Sequence, residues 1–133
     1  MINLEPLLKY FSDDDILDLY IDIGNYFNLP NKLRRYKSRD LDHIQKIIED
    51  IMHVSISEHN RKQDTVVGRQ IFFYIIYKSG RYNNISEIGE RFGIKTHTTI
   101  IHGVNAIENY IDTRDKIYYD KIIMILTLLK KFI

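Results

Sequence analysis

Apolar residues recur along this chain at intervals of three and four, the spacing that gathers one stripe on a helix. After Ser12 the stripe is Ile16, Tyr20, Ile23 and Phe27, with Asp13 to Asp15 at the positive end of the helix dipole and Pro30 closing the segment. Asp40 is positioned to cap a second helix whose apolar side is Leu41, Ile44, Ile47, Ile48 and Ile51. A third starts near Thr65. Its centre, Ile71 to Tyr77, is apolar all round and would suit a buried strand as well, but its extent to Ser79 and Gly80 favours a central helix. Asn84 or Ser86 opens a short helix with Ile88 and Phe92 inward, and Gly93 stops it. Ile100, Val104, Ile107 and Ile111 then mark a fifth helix that leaves Thr98, Thr99, His102 and Asn105 on a polar, uncharged face. The last helix is expected from about Arg114, burying Ile117, Tyr118, Ile122, Ile125, Leu126 and Leu129.

Composition tests this reading before supporting it. Isoleucine occurs 24 times and alanine once, a balance that leans towards strands by intrinsic propensity. The spacing outweighs it, and the fold class expected is all-α. At 133 residues the chain suits one compact core, with an N-terminal helical extension over residues 1–43 and the main helical domain over residues 44–133. It has no cysteine, so disulfides, thiolate metal sites and a cysteine nucleophile are excluded. Its apolar runs fall far short of the roughly 18 residues of a membrane span, and no basic, then apolar, leader opens the sequence. A soluble cytoplasmic protein without a membrane partner is expected.

The net charge of +1 conceals a gradient. Residues 1–31 hold one base and six acids, net −5, whereas residues 32–133 hold 18 bases and 12 acids, net +6. A basic remainder behind an acidic segment suits a polyanion partner, with the acidic part facing away from it or covering it.

The chemistry concentrates between Ser86 and Thr99, where a short helix, a glycine turn and a polar-faced helix make a helix-turn-helix. In that motif the second helix enters the major groove N-terminus first. Threonine brings a hydroxyl and a methyl, histidine one donor and one acceptor, and both can read base edges. Lys95, just before the helix, is positioned for a phosphate.

The residues from Ile88 to His102, IGERFGIKTHTTIIH, resemble the C-terminal DNA-binding domain of the bacterial replication initiator DnaA. That family reads IG, two residues, FG, a basic residue, then Asp-His-Ser/Thr-Thr and two aliphatics. Upstream, Arg61-Lys62 and the run from Val66 to Ile71 look like its basic loop and the start of its central helix. The likeness extends from about Ile44 to Tyr110, more weakly to Leu129. It implies a TrpR/DnaA-like helix-turn-helix and double-stranded DNA as partner. It further implies His97, Thr98 and Thr99 as major-groove readers, Lys95 and His102 as phosphate contacts, Gln70 as a backbone anchor beside Arg69, and Arg61 and Lys62 near the minor groove or phosphates. Thr96, within the same reading turn, stands where the family has a base-reading aspartate. Gln63 replaces a loop arginine and Ala106 a charged residue, so the target is expected to be a DnaA-box-like or altered site.

Other features carry less. Gly89 to Thr96 fails as a phosphate loop, because a residue separates glycine from lysine and no strand precedes it, so no nucleotide cofactor is expected. His97 and His102 are five apart, not the four that would share a helix face, and no metal site is expected. The consecutive Asp13 to Asp15 point in different directions. Lys32, Arg34, Arg35, Lys37 and Arg39 surround Tyr36 and read as a solvated basic loop or a second backbone contact. No nucleophile pairs with a base, so no enzyme is expected. The functional expectation is a sequence-preferring duplex-DNA binder acting as a regulator or replication accessory. Its alternative is a protein-interaction domain that retains the fold, contacting its partner through the acidic N-terminal segment or the basic loop.

Overall fold

A computed structural model describes residues 36–133, and residues Tyr36–Ile133 form one compact unit. The helix expected over residues 13–27 and the bases Lys32, Arg34 and Arg35 lie outside the described residues. Five α-helices follow in order: α1 (Ser38–Met52), α2 (Gln63–Ser79), α3 (Ile85–Gly89), α4 (His97–Asp112) and α5 (Tyr119–Leu128). Short 3-10 turns cover Glu90–Phe92 and Lys130–Phe132, and no strand occurs among the described residues. The described residues are all-α, as their spacing predicts.

The apolar stretch in the middle of α2 explains the architecture. Ile71, Phe72, Phe73, Ile75 and Ile76 are all buried, so this helix needs neighbours on most of its circumference. They are α4 and α1 on its flanks and α3 beside them, with α5 joining α1 and α4. Phe92 stands edge-on to Phe72, with ring centroids 5.0 Å apart, and nearly so to Phe73 at 6.1 Å. This pins the turn after α3 to the central helix. Burial of each such side chain contributes about 1.5–3 kcal/mol.

Three boundaries differ from those expected. Helix α1 starts at Ser38 after Lys37, and Asp40 serves from inside the first turn, its carboxylate accepting the Lys37 N–H at 3.3 Å. The helix runs unbroken through residues 43 and 44. Helix α2 begins at Gln63, two residues earlier than expected. The last helix begins at Tyr119, not near Arg114, because Arg114 adopts a left-handed conformation (φ 49°) and Asp115 turns the chain by accepting the Ile117 and Tyr118 N–H groups at 2.9 and 3.0 Å. Ile117 is thereby turned outward and is 67% exposed, so it does not join the buried face assigned to it. Tyr118 is buried, whereas Tyr74 and Tyr77 are only partly buried at the edge of the core.

Candidate nucleic-acid interface

The segment from α3 to α4 is shaped by its small residues. Asn84 caps α3, its side-chain oxygen accepting the Glu87 N–H at 3.0 Å. Gly89 then passes its carbonyl to the Ile94 N–H at 3.0 Å, closing the turn. A Cβ at Gly89 would lie 2.3 Å from the Ile94 carbonyl oxygen, so only glycine fits there. Gly93 has φ 72° and reverses the chain into residues 94–96. Arg91 ties this turn to α1: its Nε donates to the Gln45 side chain at 2.6 Å, and its guanidinium pairs with Asp42. Gln45 in turn donates to the Ser57 hydroxyl at 2.7 Å.

Beyond the turn, Lys95, Thr96, His97, Thr98 and Thr99 are all exposed, and Ile100 is the first residue to go inward. His102 is exposed one turn on, followed by Asn105 and Asn109, while Gly103, Val104 and Ile107 face the core. The outward stripe Thr98, His102, Asn105 and Asn109 bears hydroxyl, imidazole and amide groups and no carboxylate or ammonium. Thr96 is the N-cap of α4, yet its hydroxyl does not bond the first-turn amides. It pairs with the Thr99 hydroxyl at 2.6 Å.

The loop before α2 lies against the same turn. Ile56, Ser57, His59, Asn60, Arg61 and Arg69 line a cleft of about 330 Å³ together with Phe92 and Ile94. His59 Cε1 is 3.9 Å from the position a Cβ on Gly93 would take. The loop rests closely on α2, since a Cβ on Gly68 would lie 2.6 Å from Ile56 Cγ2, and Ile56 is fully buried. Its path is held by Arg69, whose guanidinium donates to the Glu58 and Asn60 carbonyls at 2.7 and 2.8 Å and to that of Ile56 at 3.4 Å. Arg61 and Lys62 remain exposed on it.

Thus Arg61, Arg69 and the turn leading to Lys95 share one side of the molecule. The Gln70 stem packs at Gly103 of α4, half-buried between the two helices. Gln63, at the first position of α2, donates to the Tyr110 hydroxyl at 3.2 Å. Next to it, Asp64 accepts the Tyr118 hydroxyl at 2.7 Å, and burial together with this carboxylate pushes the Tyr118 phenol well above its ordinary range. Arg91, Tyr110 and Tyr118 therefore hold the base of this surface. Sequence spacing gave no sign of the Arg91 bridge, whose partners are more than 40 residues away.

Among the described residues no cluster of three or more His, Asp or Glu is placed to hold a metal, and no helix is long and apolar enough to cross a membrane.

Comparison with known proteins agrees with this geometry. Residues 41–107 match the family model described as the bacterial dnaA protein helix-turn-helix. The chain is 32% identical over 123 residues to the chromosomal replication initiator protein DnaA of Buchnera aphidicola subsp. Cinara cedri, covering 89% of this chain and 28% of that protein. It is 34% identical over 84 residues to that of Oenococcus oeni, covering 61% of this chain and 18% of the relative. For Citrifermentans bemidjiense the values are 39% over 85 residues, 60% and 18%. The chain thus spans between a sixth and a third of the length of these curated relatives. No solved structure matches it significantly. The match takes in the cleft-forming loop, the glycine turn and the exposed first turn of α4, and the chain belongs to the bacterial DnaA helix-turn-helix family.

Proposed function

We propose that this protein binds duplex DNA with sequence preference, acting in the cytoplasm as a regulator or replication accessory at a DnaA-box-like or altered site. The observation that carries the reading is the exposed and uncharged first turn of α4, flanked by Lys95 and by the Arg61-Lys62 loop across the cleft. His97, Thr98 and Thr99 read base edges, with Lys95 and His102 on phosphates and Gln70 holding the two helices in register. Arg61 and Lys62 supply sequence-independent attraction. Arg69 acts from behind, shaping the loop that presents them.

Thr96 gives this site its own character. A carboxylate there could only accept hydrogen bonds, whereas the Thr96–Thr99 hydroxyl pair can present a donor or an acceptor. Base choice opposite it is correspondingly broader.

The test is selection of bound duplexes from a random pool at physiological salt, with His97→Ala and Thr98→Ala alongside the natural chain. An enriched motif that both variants lose is the expected result. Unchanged enrichment in both would remove base reading from α4. Failure to bind any duplex even at low salt would favour the protein-interaction reading, which draws on the turning of Gln63 towards Tyr110 and of Arg69 towards loop carbonyls. Arg61→Ala and Lys62→Ala should each weaken binding to every sequence and reduce the salt slope by about one.

A further inference from the structure

Positive charge gathers a second time at the end of α2 far from the Arg61-Lys62 loop. Here Tyr36 ties the beginning of α1 to the last 3-10 turn: its hydroxyl donates to the Phe132 carbonyl, and its ring stands edge-on to Phe132 with centroids 5.8 Å apart. The Arg81 guanidinium, just past α2, lies 5.1 Å from the Tyr36 ring centre, and Lys131 Nζ lies 5.0 Å from that of Phe132. Lys37 and Arg39 on one side and Lys130 and Lys131 on the other are exposed around this ring pair, while Phe132 is buried and Tyr36 half-buried. None of the five bases pairs with a carboxylate among the described residues, whereas Lys78 and Arg91 are neutralised by Glu108 and Asp42. The acids at this end, Asp40 and Glu87, are half-buried and accept the Lys37 and Asn83 N–H groups. Five bases against these two acids leave a net charge of +3.

The 17 residues of α2 set this patch about 25 Å from the Arg61-Lys62 loop. At about 0.1 M salt that is more than two Debye lengths, so the two positive fields act separately. The rings of the patch face inward, and apart from Ile133 the exposed side chains around them are charged or polar. The patch therefore offers charge without an apolar wedge and without a hydrogen-bonding pattern that could tell one base from another, which is what a phosphate backbone requires. We propose that this end is a second, sequence-independent site for the backbone of duplex DNA, so that one chain bridges two DNA segments. Lys37, Arg39, Lys130 and Lys131 neutralise phosphates, and Arg81, held over Tyr36, fixes the middle of the patch. The first segment is the one bound through α4, so the bridging rests on the duplex-binding reading, whereas the charge of the patch does not.

The test uses the full chain and two short duplexes of unrelated sequence at low salt, one immobilised and carrying the motif selected by the chain, the other fluorescent. Beads loaded with the first duplex and the chain should retain the second, and sedimentation with excess DNA should show one chain carrying two duplexes. Retention should fall with salt at a slope of about −4, for five bases on phosphates. Lys130→Glu with Lys131→Glu, and separately Lys37→Glu with Arg39→Glu, should each cut retention at least about ten-fold while affinity for the first duplex changes less than about two-fold. These side chains are exposed, so helicity should be unchanged, which far-ultraviolet circular dichroism checks. If α4 bound no DNA, the natural chain would still hold one duplex, kept in His97→Ala and lost in the lysine variants, so failure of that reading looks different from failure of this one. Full retention of the second duplex by both lysine and arginine variants would overturn the inference. So would a complex of two chains with two duplexes, which would assign the bridge to chain pairing. Flotation with phosphatidylglycerol vesicles through the same lysines, with no second duplex retained, would assign the patch to a lipid surface instead.

Discussion

Position 89 has room for a hydrogen atom and nothing larger, because the turn to α4 closes by bringing the Ile94 carbonyl over it. Gly89→Ala should therefore destabilise the chain by about 1–3 kcal/mol, as overpacking of a closed contact does. Urea unfolding measures this, and an unchanged midpoint would mean the turn has another way to close. Under the proposed function Thr96 bears mainly on recognition. Thr96→Asp returns an acceptor-only group to the first turn of α4 and also provides a stronger cap. It should sharpen the selected motif at a single base pair, by about 1–3 kcal/mol between best and worst base, with a small gain in thermal stability. If the variant selects the same motif as the natural chain, position 96 does not face a base. The Thr96–Thr99 hydroxyl contact at 2.6 Å is what Thr96→Asp acts upon.

At the scale of elements, one loop and one helix end set the geometry of the surface. The loop from Ile56 to Asn60 keeps its path because the Arg69 guanidinium gathers three of its carbonyls. Arg69→Ala should cost about 2 kcal/mol, the scale of lost hydrogen bonds to a charged group. It should also speed amide exchange across residues 56–62 while α4 remains protected, a pattern hydrogen exchange would resolve. The periodic parts of this arrangement were legible beforehand: the buried length of α2, the inward Ile100, Val104 and Ile107, and the glycine at the turn all follow from spacing. Motif likeness singled out Arg69 and Gln70, but their directions depend on partners in other segments. Arg69 turns to backbone carbonyls that no side-chain pattern marks, and Gln70 is fixed by its packing at Gly103. The last helix starts later than its spacing predicts for a local reason. Asp115 satisfies two amides itself and delays α5 until Tyr119, which reverses the direction of Ile117.

Across the whole molecule, tyrosine burial sets the response to alkali. Tyr118 has its phenol raised by burial and by the hydrogen bond to Asp64, while burial also raises Tyr36, Tyr74 and Tyr82. The unfolded chain releases such protons near pH 10, before the folded one does. Above that pH the folded state holds more protons, so stability falls as pH rises; below it the contribution is intact. Tyr118→Phe should lower stability at neutral pH by about 1 kcal/mol and flatten the decline above pH 10. Chemical denaturation at pH 7 and pH 11 distinguishes this from a pure packing loss, which would leave the slope alone.

The outward stripe of α4 bears no formal charge, and under the proposed function the charge-based attraction to phosphate falls to lysine and arginine before it and across the cleft. On that reading, how long the protein would stay on DNA and which DNA it would choose are governed by different atoms. Raising ionic strength should shorten the dwell time on matched and random duplexes by nearly the same factor, leaving their ratio almost constant. Such a reader remains selective while its grip loosens, so competing chromosomal DNA would dilute its occupancy without blurring its choice.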